Sequence, residues 1–234
     1  MILSISSIAL ELHADLAADS PYSRALERDL PRRLARLSPW GRFCRPVKLL
    51  LVDNSIELKL LAPRASLLDL RGLAWNDAVW LLRPERWPAP PDPGEWVTLV
   101  LHELAHILWF QRSTSPERAP AYAPTWFREG LAVVAAEGLP PATGRRYLAD
   151  DAVESAAYSD DAGIADLGGV VYAVAAQLFA AWWQQHGTRP YASLCRELRA
   201  GRGFSAAFLL ACEVDDRAFV AAEAARWRAE ARTQ

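Results

Sequence analysis

Lysine is almost missing from this chain. Lys48 and Lys59 are the only two, and the rest of its 26 basic residues are arginine. The arginines are interleaved with 28 acidic residues, as in the run "RWRAEAR", so the net charge is −2 and no one-signed field favours nucleic acid. Cysteine is scarce too. Cys44, Cys195 and Cys212 are odd in number and none stands in CxxC spacing, which argues against a disulfide framework and fits a reducing compartment. No apolar run approaches the roughly 20 residues of a membrane-spanning helix. The opening "MILSISSIALELHADL" has no basic segment ahead of its apolar stretch, and Glu11 interrupts it, so it reads as a strand and not as an export signal. These absences lead to the expectation of a cytoplasmic protein with neither a nucleic-acid nor a membrane partner.

What is present suits a globular fold. The chain has 234 residues, 52% hydrophobic and 23% charged, enough for one sizeable core or two small lobes. Residues 2–13 alternate as a strand. The span Ser20–Leu37 opens with a capping serine and Pro21, then carries Leu26, Leu30, Leu34 and Leu37 at helical spacing. Pro31 is placed to bend or split that helix. Pro46–Asp53 is a continuous apolar strand run, and Arg71–Glu85 reads as two short strands around the turn residues Asn76 and Asp77. The proline-rich "RWPAPPDPGEW" then breaks the chain. Beyond Glu95 the pattern is helical, with helices expected at 95–111, 124–137, 142–155, 167–186, 189–200, 203–211 and 215–231. That segregation predicts an α+β architecture in a single domain, with lobes at roughly 1–111 and 112–234.

The chemistry concentrates in "TLVLHELAHILWF", Thr98–Phe110. On a helical wheel Val97, Leu101, Leu104 and Leu108 form an apolar stripe. His102 and His106 lie one turn apart on a neighbouring face, so both imidazoles can point at one atom. Glu103 follows the first histidine, where it can serve a water as general base. The HExxH pattern thus places two zinc ligands and a base on one rod. A catalytic zinc needs a third protein ligand from a different element. Downstream, "APTWFREGLAVVAAE" sets Glu129 among Trp126, Phe127, Leu131 and Val134. A helix hairpin joined by "RSTSPERAPAYAP" would return Glu129 to the two histidines. The competing reading is a solvated glutamate near a helix start, favoured by the helix dipole.

HExxH followed by "WFREGLA" resembles the gluzincin metallopeptidases, in particular the small bacterial peptidase MA-like domains. Their pattern is a tryptophan, two variable residues, Glu-Gly, one variable residue and an alanine, matched by Trp126, Glu129, Gly130 and Ala132. The likeness covers roughly residues 20–230, closely at 98–138 and loosely elsewhere. The resemblance implies a zincin-like fold with the active-site cleft between a small strand-containing lobe and a helical one. It implies one zinc per chain on His102, His106 and Glu129, Glu103 as catalytic base, and a peptide or protein substrate hydrolysed by a metal-activated water. It also implies a tyrosine that donates to the developing oxyanion. Tyr172, in "GGVVYAVAAQ", matches that position, and Tyr158, beside the loop "YSDDAGIADLGG", competes with it.

Two positions depart from related families. "GLAWN" begins thirty residues before His102, and Trp75 stands where the aminopeptidase branch has the glutamate that holds a substrate's free amine. Val133 stands where thermolysin-like relatives have an aspartate that orients a histidine. A binding module that kept the fold and lost turnover, or a specialised amide hydrolase acting on one small peptide or metabolite, are the alternatives. An intact Glu103 disfavours the first. His13 and His186 fall outside ligand spacing, Cys195 and Cys212 fit apolar helix faces, and Trp182 and Trp183 read as packing residues.

Overall fold

The computed structural model describes residues 2–5, 8–13, 20–61, 71–75, 77–115, 122–140, 152–160, 164 and 167–233. It is an α+β chain whose contacts divide it into two compact units, Met1–Gln111 and Arg112–Gln234. The boundary falls in the last turn of a long helix.

The first unit is built on a five-stranded sheet. Its strands are β1 (Ile2–Ile5), β2 (Ile8–His13), β3 (Val47–Val52), β4 (Gly72–Trp75) and β5 (Ala78–Leu82), in the order β1-β2-β3-β5-β4. β1 pairs antiparallel with β2, so the expected single strand over 2–13 is two. A twelve-residue period-2 pattern does not show where a chain reverses. β3 lies parallel to both β2 and β5. The apolar runs of β3 and β5 supply the core of the sheet, with Val47, Leu49, Val52, Val79 and Leu81 buried while Lys48 is exposed.

Helix α1 (Pro21–Leu34) starts as its sequence dictates, with the Ser20 hydroxyl accepting from the Ser23 amide. Pro31 does not split it. The helix runs on through Leu34 into a 3₁₀ segment, Ala35–Trp40. Helix α2 (Ser55–Leu61) has no counterpart among the expected elements. It has seven residues and buries only Leu58, too short for a periodic stripe. Asn54 caps it by accepting from the Glu57 amide.

Helix α3 (Pro93–Ser113) begins two residues earlier than its apolar pattern. Asp92 accepts from the Gly94 amide and Glu95 reaches back to the Asp92 amide, a reciprocal cap around Pro93. Its middle is apolar on nearly every side, from Trp96 and Val97 through Val100, Leu104, Ala105 and Ile107 to Trp109, all buried. Such a helix belongs in a core. Three bonds fix its start to α1 and the proline loop: Arg33 Nη1 donates to Thr98 Oγ1 (2.6 Å) and to the Gly94 carbonyl (3.3 Å), and Tyr22 donates to the Pro91 carbonyl (3.2 Å). Gln111 fixes its end. Its oxygen accepts from the Cys44 and Arg45 amides, and its nitrogen donates to the Arg45 carbonyl and to Asp77. Asp77 takes the left-handed turn conformation at φ 61° that aspartate tolerates. The Arg45 guanidinium forks onto its carboxylate at 2.6 and 3.0 Å. α3 is thereby tied to the β4–β5 turn by a saturated polar knot.

The second unit is helical: α4 (Thr125–Glu137), α5 (Ala152–Ala157), α6 (Gly169–His186), α7 (Thr188–Arg199), α8 (Phe204–Cys212) and α9 (Asp216–Arg232). Most of the helix expected over 142–155 lies outside the described residues. The core is an aromatic cluster. Trp126, Phe127, Phe179, Trp182, Phe204 and Phe208 pack mostly edge-on or tilted, at centroid separations such as 5.1 Å for Phe127–Trp182 and 5.8 Å for Trp126–Phe208, with Phe204 stacked on Phe208. Trp182 is therefore a packing residue, and Trp183 stacks on Phe179.

α4 and α6 pack closest at Gly130. A Cβ there would fall 2.2 Å from the Ala175 carbonyl oxygen and 2.6 Å from Phe179 Cβ. Backbone cannot yield as a side-chain tip can, so Gly130→Ala must push two helices apart. Overpacking of this kind costs about 1–3 kcal/mol, and a clash with backbone belongs at the upper end. We expect chemical denaturation of Gly130→Ala to show a loss of about 3 kcal/mol. A loss under about 0.5 kcal/mol would show that the helices are not this close.

Candidate metal centre

The α-helical repeat brings His102 and His106 together within α3. Their Nε2 atoms are 3.2 Å apart, with ring centroids separated by 4.9 Å and planes at 79°. Two nitrogens at about 2.0–2.1 Å from one tetrahedral zinc stand roughly 3.3–3.4 Å apart, so the observed separation is that of a ligand pair. It also suits one imidazole donating to the other. Among the described residues, His102, His106 and Glu129 form a group whose ligand atoms all lie within 4.8 Å of one another. Two nitrogens and one carboxylate oxygen are the donor set of a catalytic zinc site, three protein ligands with a position left for solvent.

Burial separates this arrangement from the solvated reading of Glu129. The residue is 7% exposed, as are His106 and Glu103. A carboxylate out of water needs compensating charge. Arg128, the preceding residue, supplies some: its Nε donates to Glu129 Oε1 at 3.1 Å. The Arg128 guanidinium in turn lies over the Tyr122 ring at 5.8 Å. In sequence Arg128 is inconspicuous, since an arginine beside a glutamate is commonplace, and its one signal is its place next to Glu129.

Glu103 lies against strand β4. Its carboxylate and Cγ fill the space beside Gly72, where a side chain would otherwise project. Side-chain alternation along β4 puts Gly72 and the buried Ala74 on this side and sends Leu73 and Trp75 to the other. Trp75 is half-exposed.

Tyr172 occupies the first turn of α6 and is 37% exposed. It precedes by three residues Ala175, whose carbonyl abuts Gly130, so it lies one turn from the helix contact adjoining Glu129. Tyr158 is engaged elsewhere. Its hydroxyl donates to Asp216 Oδ2 at 3.0 Å, its ring carries the Arg217 guanidinium at 4.5 Å, and burial followed by the Asp216 charge holds its proton far more tightly than usual. That proton ties α5 to α9.

The remaining candidates are structural. His186 packs on Trp182 and Phe219, and burial lowers its pKa. Cys195 is buried, which pushes its thiol up to about 12. Cys212 accepts from the Trp182 indole at 3.3 Å. All three cysteines are free. The side chain of His13 lies outside the described residues. No described helix is long and apolar enough to cross a membrane.

Against models of known protein families the chain finds no match, and no curated protein matches it either.

Proposed function

We propose that this protein is a zinc-dependent hydrolase of peptide bonds, of gluzincin type. The observation that carries the reading is the convergence of His102, His106 and Glu129 with the buried acid Glu103 on the same helix. Zinc held by the three side chains would polarise the scissile carbonyl and ease deprotonation of a water. Glu103 takes that water's proton on its carboxylate and delivers it to the leaving amine nitrogen. The Tyr172 hydroxyl donates to the oxygen on which negative charge develops. Arg128 holds Glu129 in place through its Nε bond and offsets the charge of the buried carboxylate while doing so. Val133, where thermolysin-like enzymes use an aspartate, is apolar and partly buried and takes no part.

The test is hydrolysis of a quenched peptide library by zinc-loaded protein. Cleavage that is lost with a chelator and restored by zinc supports the reading. Failure to cut any peptide while zinc is bound overturns it.

The substrate's N-terminus supplies a further expectation. An indole at position 75 has no carboxylate to accept from an ammonium group, and a cation–π contact with so exposed a ring is worth only about 0.5–1 kcal/mol. One peptide, assayed with a free or an acetylated N-terminus, is expected to be cleaved at least as well when acetylated. A hundredfold preference for the free amine, about 3 kcal/mol of transition-state binding, would show that another acid anchors it.

A further inference from the structure

We propose that Gly72 is a positioning residue for Glu103: the absence of a side chain at this point of β4 is what seats the Glu103 carboxylate. The proposal rests on the reading of Glu103 as the base. A Cβ on Gly72 would lie 2.7 Å from Glu103 Oε1, 3.0 Å from its Cγ and 3.0 Å from Leu81 Cδ2. Favourable contacts between carbon atoms lie at 3.5–4.0 Å, so all three fall well inside.

Glycine in a strand weakens it, and it persists where a turn requires it or where another group comes close. No turn requires it here. Gly72 is absent from the glycines with positive φ, and it pairs regularly with Leu81 across the antiparallel β4–β5 ladder. Close approach is what remains, and Glu103 is the nearest group. The carboxylate has little freedom to retreat, because Glu103 is 7% exposed and its helix is anchored at both ends. Leu81, fully buried on the neighbouring strand, closes the other side. Among the described strands β4 lies at the edge of the sheet, joined to β5. The edge strand therefore does more than border the base. It limits the rotamers open to Glu103 and so fixes where its proton-accepting oxygen stands.

Three variants of the full chain test this: Gly72→Ala, Glu103→Ala and the pair combined. In the zinc-loaded protein, Gly72→Ala is expected to lower kcat about ten- to a hundredfold, the scale of a base displaced by up to 1 Å. KM should stay within about twofold and the zinc content should not change. Thermal unfolding of the metal-free chains gives a readout that needs no turnover. Gly72→Ala should lower Tm by roughly 3–10 °C when Glu103 is present, and by less than half as much when residue 103 carries only a methyl group. A single variant that fails to fold while the double variant folds supports the same coupling. An equal fall in both backgrounds would assign the clash to Leu81 and overturn the proposal, as would unchanged Tm and kcat in Gly72→Ala. If the wild type cleaves nothing, the hydrolase reading falls, and the Tm coupling alone decides whether Gly72 seats Glu103.

Discussion

Glu103→Gln is expected to bind zinc and fold as the wild type does while kcat falls about 10²–10⁴-fold, the usual contribution of a positioned general base. The amide has nearly the volume of the carboxylate, so it fits the same space beside Gly72 and leaves the packing of α3 undisturbed. What it lacks is a proton acceptor of useful basicity. The loss should appear in kcat and in kcat/KM to the same degree, because the interaction belongs to the transition state and not to ground-state binding. Steady-state kinetics with zinc content measured on the same sample reads both quantities. A Glu103→Gln enzyme that turns over at the wild-type rate would place the base elsewhere.

The second large effect is on the metal. His106→Ala removes one of three donors, leaving His102 and Glu129, and tight zinc binding should be lost. Removal of a group that only supports a ligand costs about 10–100-fold in affinity, and removal of the ligand itself should exceed that. His106 is buried, so alanine also opens a cavity. His106→Gln fills more of that space, and a matched loss of zinc in both variants separates coordination from packing. Competitive titration against a chromogenic chelator reads the affinities. Full zinc occupancy in His106→Ala would remove His106 from the site.

How far the sequence discloses this arrangement depends on the range of the interactions involved. The pairing of His102 with His106 is a property of one helix, and the 3.6-residue repeat makes it visible in five letters. Glu129 is visible because it is an acid set among apolar residues in a helical run that follows the histidines at a hairpin's length. Strands β3, β4 and β5 announce themselves by apolar runs and a turn pair. Where β1 ends and β2 begins does not show, because period-2 alternation continues across a reversal. Helix α2 does not show either, since its capping depends on Asn54 and Glu57 and its burial on Leu58 alone. The contacts at Gly72 and Gly130 lie further out of reach. Each is a distance between elements remote in the chain, Gly72 to Glu103 and Gly130 to Ala175, and a glycine's letter does not say which neighbour fills the space it leaves. The role of Tyr158 is hidden for the same reason, because its partner Asp216 is fifty-eight residues away.

The most direct measurement is the zinc content of the purified chain after loading with excess metal and desalting, read by elemental analysis beside His106→Ala. About one zinc per wild-type chain is expected, from the two nitrogens 3.2 Å apart and the buried carboxylate beside them, and none retained by the variant. A wild-type chain that retains no zinc, or one that retains it equally well without His106, would contradict that expectation.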